Sequence, residues 1–187
     1  MSAPGAAGCR EIVLSLGANL GDRLANLQLG IDLLTGDGLE DAEVSSVYQS
    51  APVGGPDQDD YLNAVLIVQS ALTARDILRR ATAAEAAAGR VRTIRWGPRT
   101  LDVDIITSGD EQSSDPALTL PHPRARERAF VLVPWLELRA DAVLPGSGPA
   151  ADLLAAVVLG AGGTAGVQQR PELRLTVPGR DEAAPCG

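Results

Sequence analysis

Thr100-Leu101-Asp102-Val103-Asp104-Ile105-Ile106-Thr107 alternates apolar and polar residues as far as Ile105. Period-two patterning predicts a half-buried strand. Residues two apart on a strand share a face. Asp102 and Asp104 therefore stand side by side, roughly 6–7 Å apart along the backbone, and Leu101, Val103 and Ile105 point the other way. Two bare carboxylates so placed are expected to repel each other.

Upstream, Gly89 to Pro98 is a loop dense in arginine, and Thr73 can cap a helix that runs to about Ala88 with Gly89 as its stop. Tyr61 to Val68 and Val44 to Tyr48 are β-rich runs around an irregular loop, Ala51 to Asp59. Apolar residues recur at helical spacing from Asp22 (Leu24, Leu27, Ile31, Leu34), and Ile12 to Leu16 reads as a buried strand. Downstream, Ser108 to Pro116 is a polar turn and Arg124 to Leu138 a helix interrupted at Pro134. Ala150 to Leu159 is a short helix, and Leu173 to Val177 reads as a strand.

The order β-α-β-β-α-β is the ferredoxin-like pattern. It predicts an α+β domain over residues 10–178, an antiparallel sheet with packed helices and a C-terminal helical extension. Residues 1–9 and 179–187 are expected to be disordered tails.

The chain has 187 residues, formal net charge −8 and 45% apolar residues, enough for one core. That charge argues against general binding to nucleic acid or an anionic membrane. An anionic ligand then needs a local cluster of cations. Arg79, Arg80, Arg90, Arg92, Arg95 and Arg99 form one, and Arg124, Arg126 and Arg128 another. Cys9 and Cys186 fit neither a zinc site nor a disulfide framework. No signal-peptide pattern is present at Met1 to Cys9, and the longest apolar run, Leu153 to Leu159, is too short for a bilayer. A cytoplasmic location is expected.

A chain without lysine has no Walker A loop. Gly160 to Ala165 matches the dinucleotide pattern in letters but follows a helical run rather than a strand, so it reads as a plain loop. Paired aspartates downstream of Arg90, Arg92, Arg95 and Arg99 suit a polyphosphate carrying a divalent cation: acids hold the metal and guanidiniums fork onto phosphate oxygens. The bland alternatives are the polar face of a strand and a web of surface ion pairs. His122, the only histidine, lies in Pro121-His122-Pro123 and is either structural or a phosphate or ribose contact.

Arg95-Trp96-Gly97-Pro98-Arg99-Thr100-Leu101-Asp102-Val103-Asp104-Ile105-Ile106 resembles the signature of the 6-hydroxymethyl-7,8-dihydropterin pyrophosphokinase family. Leu16 to Asp22, Tyr48 to Pro52, Asp60 to Ala64, Leu120 to Pro123 and Arg128 to Val131 agree in order. The resemblance implies transfer of pyrophosphate from ATP to 6-hydroxymethyl-7,8-dihydropterin, giving AMP, in folate biosynthesis, by a monomer. It implies two Mg²⁺ ions on Asp102 and Asp104, with Arg90, Arg92 and Arg99 catalytic. ATP is expected to meet Glu85, Arg92, Arg95, Trp96, Arg99, Leu118, Thr119, His122 and Arg128. The pterin is expected between Tyr61 and Phe130, with Ser50, Pro52, Val53 and Asn63 around it. Ser50 stands where the family pattern has threonine, and Ala51 where it has proline. Two rivals remain open: a two-metal phosphoesterase using the same aspartates, and a ferredoxin-like regulatory module without chemistry.

Overall fold

A computed structural model describes residues 8–52, 58–90, 97–163 and 165–179. Of the two expected tails, residues 1–7 and 180–187 lie outside them. The interior strand β1 (Arg10–Ala18) pairs antiparallel with β4 (Tyr61–Ser70) on one side and β5 (Asp102–Ser108) on the other. Strands β2 (Glu40–Val44) and β3 (Tyr48–Ser50) share the outer edge of β4, and β10 (Val167–Gln169) pairs outside β3. All these pairings are antiparallel, as the ferredoxin-like order predicts.

The alternation of β1 divides the core in two. Ile12, Leu14 and Leu16 pack with Leu101, Val103 and Ile105 of the β5 segment under helices α1 (Arg23–Leu33) and α2 (Ala74–Ala87). Val13 packs with Val65, Ile67 and Ile106 under α3 (Ala129–Leu138) and α4 (Ala150–Gly160). A bulge between Val13 and Leu14 keeps both strands in step with these faces. Two small hairpins complete the described chain: β6 (Ser113–Asp115) with β7 (Leu118–Leu120), and β8 (Val143–Leu144) with β9 (Gly148–Pro149).

Local chemistry sets the helix starts. The Asp22 carboxylate accepts from the Ala25 N–H at 3.1 Å. Thr73 and Asp76 form a reciprocal capping box on α2. Gly30 lies mid-helix in α1 because the helix sits hard against the sheet: a methyl group there would come within 3.0 Å of Leu16 and 3.1 Å of Leu101.

Four sequence expectations need correction. Val44 to Tyr48 is not one strand but the gap between β2 and β3. There the Ser45 hydroxyl accepts from the Val65 N–H at 3.0 Å, standing in for a carbonyl. The Glu137 carboxylate of α3 ties the gap down, accepting from the Ser46 hydroxyl at 2.8 Å and the Tyr48 hydroxyl at 2.9 Å. Second, Pro134 does not interrupt the helix; α3 runs through it, and the break falls at Arg128, between a 3₁₀ turn at Ala125–Glu127 and α3. Burial of Val131, Leu132 and Trp135 outweighs the roughly 3 kcal/mol cost of an interior proline. Third, Leu173 to Val177 alternates against the first core but pairs with no strand among the described residues; the added strand is the polar β10. The C-terminal extension is thus a helix followed by a strand. Fourth, the polar turn after Ser108 contains β6.

Gly30→Ala tests the close approach of α1. Alanine favours a helix by about 1 kcal/mol over glycine, but here it overpacks two fully buried leucines, which costs typically 1–3 kcal/mol. We expect a net loss of stability in urea unfolding; a gain would show that the helix can shift freely.

Burial, and then its bond to Glu137, pushes the Tyr48 phenol up to about 12. The protonated form is the favoured one, so this contribution is intact below pH 10 and is lost as pH rises through about 12. Melting temperature should therefore fall more steeply over that window in the wild type than in Tyr48→Phe. Parallel curves would contradict the assignment.

Candidate active site

On the second face of the sheet, each central strand changes character along its length. β1 runs from Val13 to Ser15 and Gly17, β4 from Ile67 and Val65 to Asn63 and Tyr61, and β5 from Ile106 to Asp104 and Asp102. Helices α3 and α4 cover the apolar end. The polar end opens into a cavity of about 440 Å³. Register makes the floor continuous: Ser15 lies opposite Asp104, and Gly17 opposite both Asp102 and Asn63. A small residue on β1 therefore stands beside each aspartate.

One end of the cavity is flat and weakly polar. Tyr61 and Phe130 line it with Ser50 and Pro52. Asn63 is buried, and its amide donates to the Ser50 hydroxyl at 3.0 Å and the Tyr48 carbonyl at 3.3 Å. The Arg128 guanidinium lies 5.5 Å from the centre of the Phe130 ring. Burial raises the Tyr61 pKa above its ordinary value, Arg99 and Arg90 pulling against it and Asp102 adding to it.

The other end is ionic. Asp102 pairs with Arg90 at 2.7 Å and also with Arg99. Asp104 pairs with Arg128 at 2.7 Å. Glu85 of α2 is buried; it pairs with Arg90 and accepts the Val103 N–H at 3.0 Å, which locks α2 onto β5. Burial works to lower the Arg99 pKa, but Asp102, Tyr61 and Asp104 together outweigh it and the net shift is upward. The two carboxylates are thus not bare and mutually repelling: each carries arginine partners.

His122 is placed by its N–H to the Ile106 carbonyl at 2.9 Å, and its Nδ1 accepts the Arg124 N–H at 3.2 Å. Its Nε2 faces Asp104 at 3.6 Å. Burial lowers its pKa, Asp104 opposing, so the neutral imidazole with its proton on Nε2 is the form that fits. Leu118 is buried in the first core, and the Thr119 hydroxyl donates to the Asp115 carbonyl at 3.0 Å; both sit on the β6–β7 hairpin. Val53, Arg92, Arg95 and Trp96 lie outside the described residues.

The sequence reading missed Asn19. It is buried, and its carbonyl oxygen accepts the Arg99 N–H at 2.8 Å while its amide reaches Gln58 at 2.9 Å and the Asp59 carbonyl at 3.2 Å. Its own N–H bonds the Arg99 carbonyl at 3.0 Å. One side chain thus fastens three loops at the cavity rim. Its place in Leu16 to Asp22, directly after a buried strand, was the available signal. Gln58, Arg124 and Glu127 also line the cavity, as do Val157, Ala165, Gly166 and Val167 from the C-terminal segment.

Residues 13–140 match the model of the family described as 7,8-dihydro-6-hydroxymethylpterin-pyrophosphokinase. The chain is similar to proteins named 2-amino-4-hydroxy-6-hydroxymethyldihydropteridine pyrophosphokinase. The one from Mycobacterium leprae is 49% identical over 153 residues, covering 75% of this chain and 78% of the relative. That from Mycobacterium tuberculosis is 47% identical over 150 residues, covering 74% and 77%. That from Methylorubrum extorquens is 42% identical over 134 residues, covering 71% and 85%. In fold, the chain resembles the crystal structure of wild-type Plasmodium falciparum HPPK-DHPS with pterin and p-hydroxybenzoate, at TM-score 0.61 and 11% identity over 86% of this chain. It spans 45% of that chain. A variant of the same protein gives TM-score 0.66 at 11% identity, over 87% of this chain and 49% of that one.

Glu85 gives the site its most direct stability test. Glu85→Ala takes from Arg90 its buried partner, leaving it only the part-exposed Asp102, and leaves the Val103 N–H unbonded, a loss of about 2 kcal/mol. Glu85→Gln keeps an acceptor for Val103 and should lose less than half of that in chemical denaturation. Equal, small losses would mean that the pair is solvent-screened.

Proposed function

The chain belongs to the 7,8-dihydro-6-hydroxymethylpterin-pyrophosphokinase family, and from that premise we propose how its residues move pyrophosphate onto hydroxymethyldihydropterin in folate biosynthesis. It is an enzyme of the diphosphotransferase class. In this reading the donor is ATP, AMP is the second product, and the reaction runs in the cytoplasm on a monomer.

The observation that carries the reading is the cavity with two chemically different ends. Tyr61 and Phe130 suit the two faces of a flat heterocycle, each stacking contact contributing on the order of 1 kcal/mol. Asn63 and Ser50, already bonded to each other, offer amide and hydroxyl groups to its polar edge, and Pro52 borders it. Val53 joins this group on the resemblance alone.

Asp102 and Asp104 are the residues to hold two Mg²⁺ ions. Among the described residues no cluster of three or more acid, histidine or cysteine ligands exists. A pair of carboxylates on one strand face suits a hard cation that takes its other oxygens from phosphate and water. The chemistry supplied by bound Mg²⁺ is neutralisation of phosphate charge and polarisation of the hydroxyl nearby.

The arginines do the rest. Arg90, Arg99 and Arg128 are held beside the two aspartates in the free protein. As the metal nucleotide arrives, they exchange carboxylate for phosphate oxygens. Charge is thereby re-paired inside the site rather than newly buried, which limits the desolvation cost. Arg92, Arg95 and Trp96 are assigned to the triphosphate on the resemblance alone, and Glu85, Leu118, Thr119 and His122 border the nucleotide. The substrate hydroxyl then attacks the β-phosphorus in line, the bond from that phosphorus to the α,β-bridging oxygen breaks, AMP leaves with the oxygen, and the hydroxyl proton passes to solvent. Transfer of this kind rests on positioning and electrostatic stabilisation, which these groups supply.

Incubation with ATP, Mg²⁺ and hydroxymethyldihydropterin should release AMP in step with pterin diphosphate. Nucleotide hydrolysis without any need for the pterin would favour a phosphoesterase and sink the reading. Asp102→Asn and Asp104→Asn keep the shape but lose the charge, and each should slow AMP release on the order of 100-fold or more. Both carboxylates are partly exposed, at 23% and 32%, so unfolding free energy should change by no more than about 1 kcal/mol. Near-normal turnover in either variant would refute the metal assignment.

A further inference from the structure

The C-terminal segment lies outside residues 13–140, the part that matches the family, yet it reaches the cavity. Strand β10 pairs with β3 so that Val167 lies opposite Ser50, and Ser50 in turn lies opposite Tyr61. Residues directly opposed in an antiparallel pair project to the same face. Val167 therefore continues the row Tyr61–Ser50 by one strand and extends the cavity floor beyond Ser50. Val157 of α4 lines the same cavity from another element.

The segment is built into the fold. The Arg170 N–H donates to the Val47 carbonyl at 2.8 Å, and the Arg170 side chain reaches the Gln49 amide oxygen. Further on, the Gln28 amide of α1 bonds both the N–H and the carbonyl of Thr176, at 2.9 and 2.8 Å. Leu173, Leu175 and Val177 pack against the first core between these ties. The segment is thus held at one end by the edge of β3 and at the other by α1.

We infer that Val167 and Val157 form the outer wall of the pterin end and limit how the heterocycle sits there, so that the C-terminal segment is a positioning element for this substrate. The inference rests on the proposed function for the identity of the ligand. Its chemistry is plain: both side chains are apolar and partly exposed to the cavity, they carry no group that could take part in transfer, and the phosphate-handling residues lie between α2 and β5, on β5 and before α3. They act on pterin binding alone.

Val167→Phe and Val157→Phe test this on two elements, so that failure of one variant to fold leaves the other. KM for hydroxymethyldihydropterin should rise on the order of tenfold, with KM for ATP and the melting temperature unchanged. Direct titration with the pterin, followed by its fluorescence, should show the same weakening, and titration with a non-hydrolysable ATP analogue should show none. Wild-type pterin affinity in folded variants, or equal weakening of both ligands, would overturn the inference. A wild-type chain that neither binds nor consumes the pterin would overturn the proposed function itself, and the inference with it.

Discussion

The register between β1 and β5 is the constraint on which the site depends. A strand has a period of two, so a slip of one residue would turn Asp102 and Asp104 into the leucine core beneath α1 and α2 and send Val103 into the cavity. Burial of Leu101, Val103 and Ile105 on the far face prevents this. The same apolar residues that hold the sheet together therefore aim the acids. The opposed positions on β1 are Gly17 and Ser15, too small to cover the carboxylates, so aiming and access come from one pairing.

Charge at the cavity is arranged as a closed set. Glu85, Asp102 and Asp104 face Arg90, Arg99 and Arg128, and each acid has an arginine within bonding reach. Such a set is stable without ligand because none of these charges is left unpaired in a half-buried place. It is also exchangeable, since a carboxylate and a phosphate present similar oxygens to a guanidinium. Asn19 keeps the frame of this set in place through Arg99, while the side chains on it are free to change partner.

Much of this was legible in the sequence, where the signals were local. Alternation from Leu101 to Ile105 gave the facing of the acids, Thr73 and Asp76 gave a helix start, and the β-α-β-β-α-β order gave the sheet. Where long-range contacts decide, the sequence was silent. Nothing near Pro134 says that its helix is paid for by the burial of Trp135, and nothing in Val167-Gln168-Gln169 marks a strand, because the backbone of β3 makes it one. Val44 to Tyr48 reads as continuous because the group that breaks it, Glu137, is about ninety residues away. The arginine clusters look uncompensated in the sequence for the same reason: Asp102, which answers Arg90 and Arg99, and Asp104, which answers Arg128, are brought in by the fold.

The position of β1 in the chain has a consequence for synthesis. It precedes the other described strands in the chain and is interior to the sheet, with partners that begin at Tyr61 and Asp102. At roughly 5–20 residues per second, its Ile-Val-Leu-Ser-Leu run waits some seconds for its first neighbour and longer for its second. During that wait α1 can lie against it, but α1 covers one face and neither edge, and none of the described strands made before β4 pairs with it. An unpaired apolar strand is a template for any other chain with a free edge. The nascent protein therefore passes through a stage in which residues 12–16 are an apolar strand with both edges open, and that stage ends only when β4 emerges.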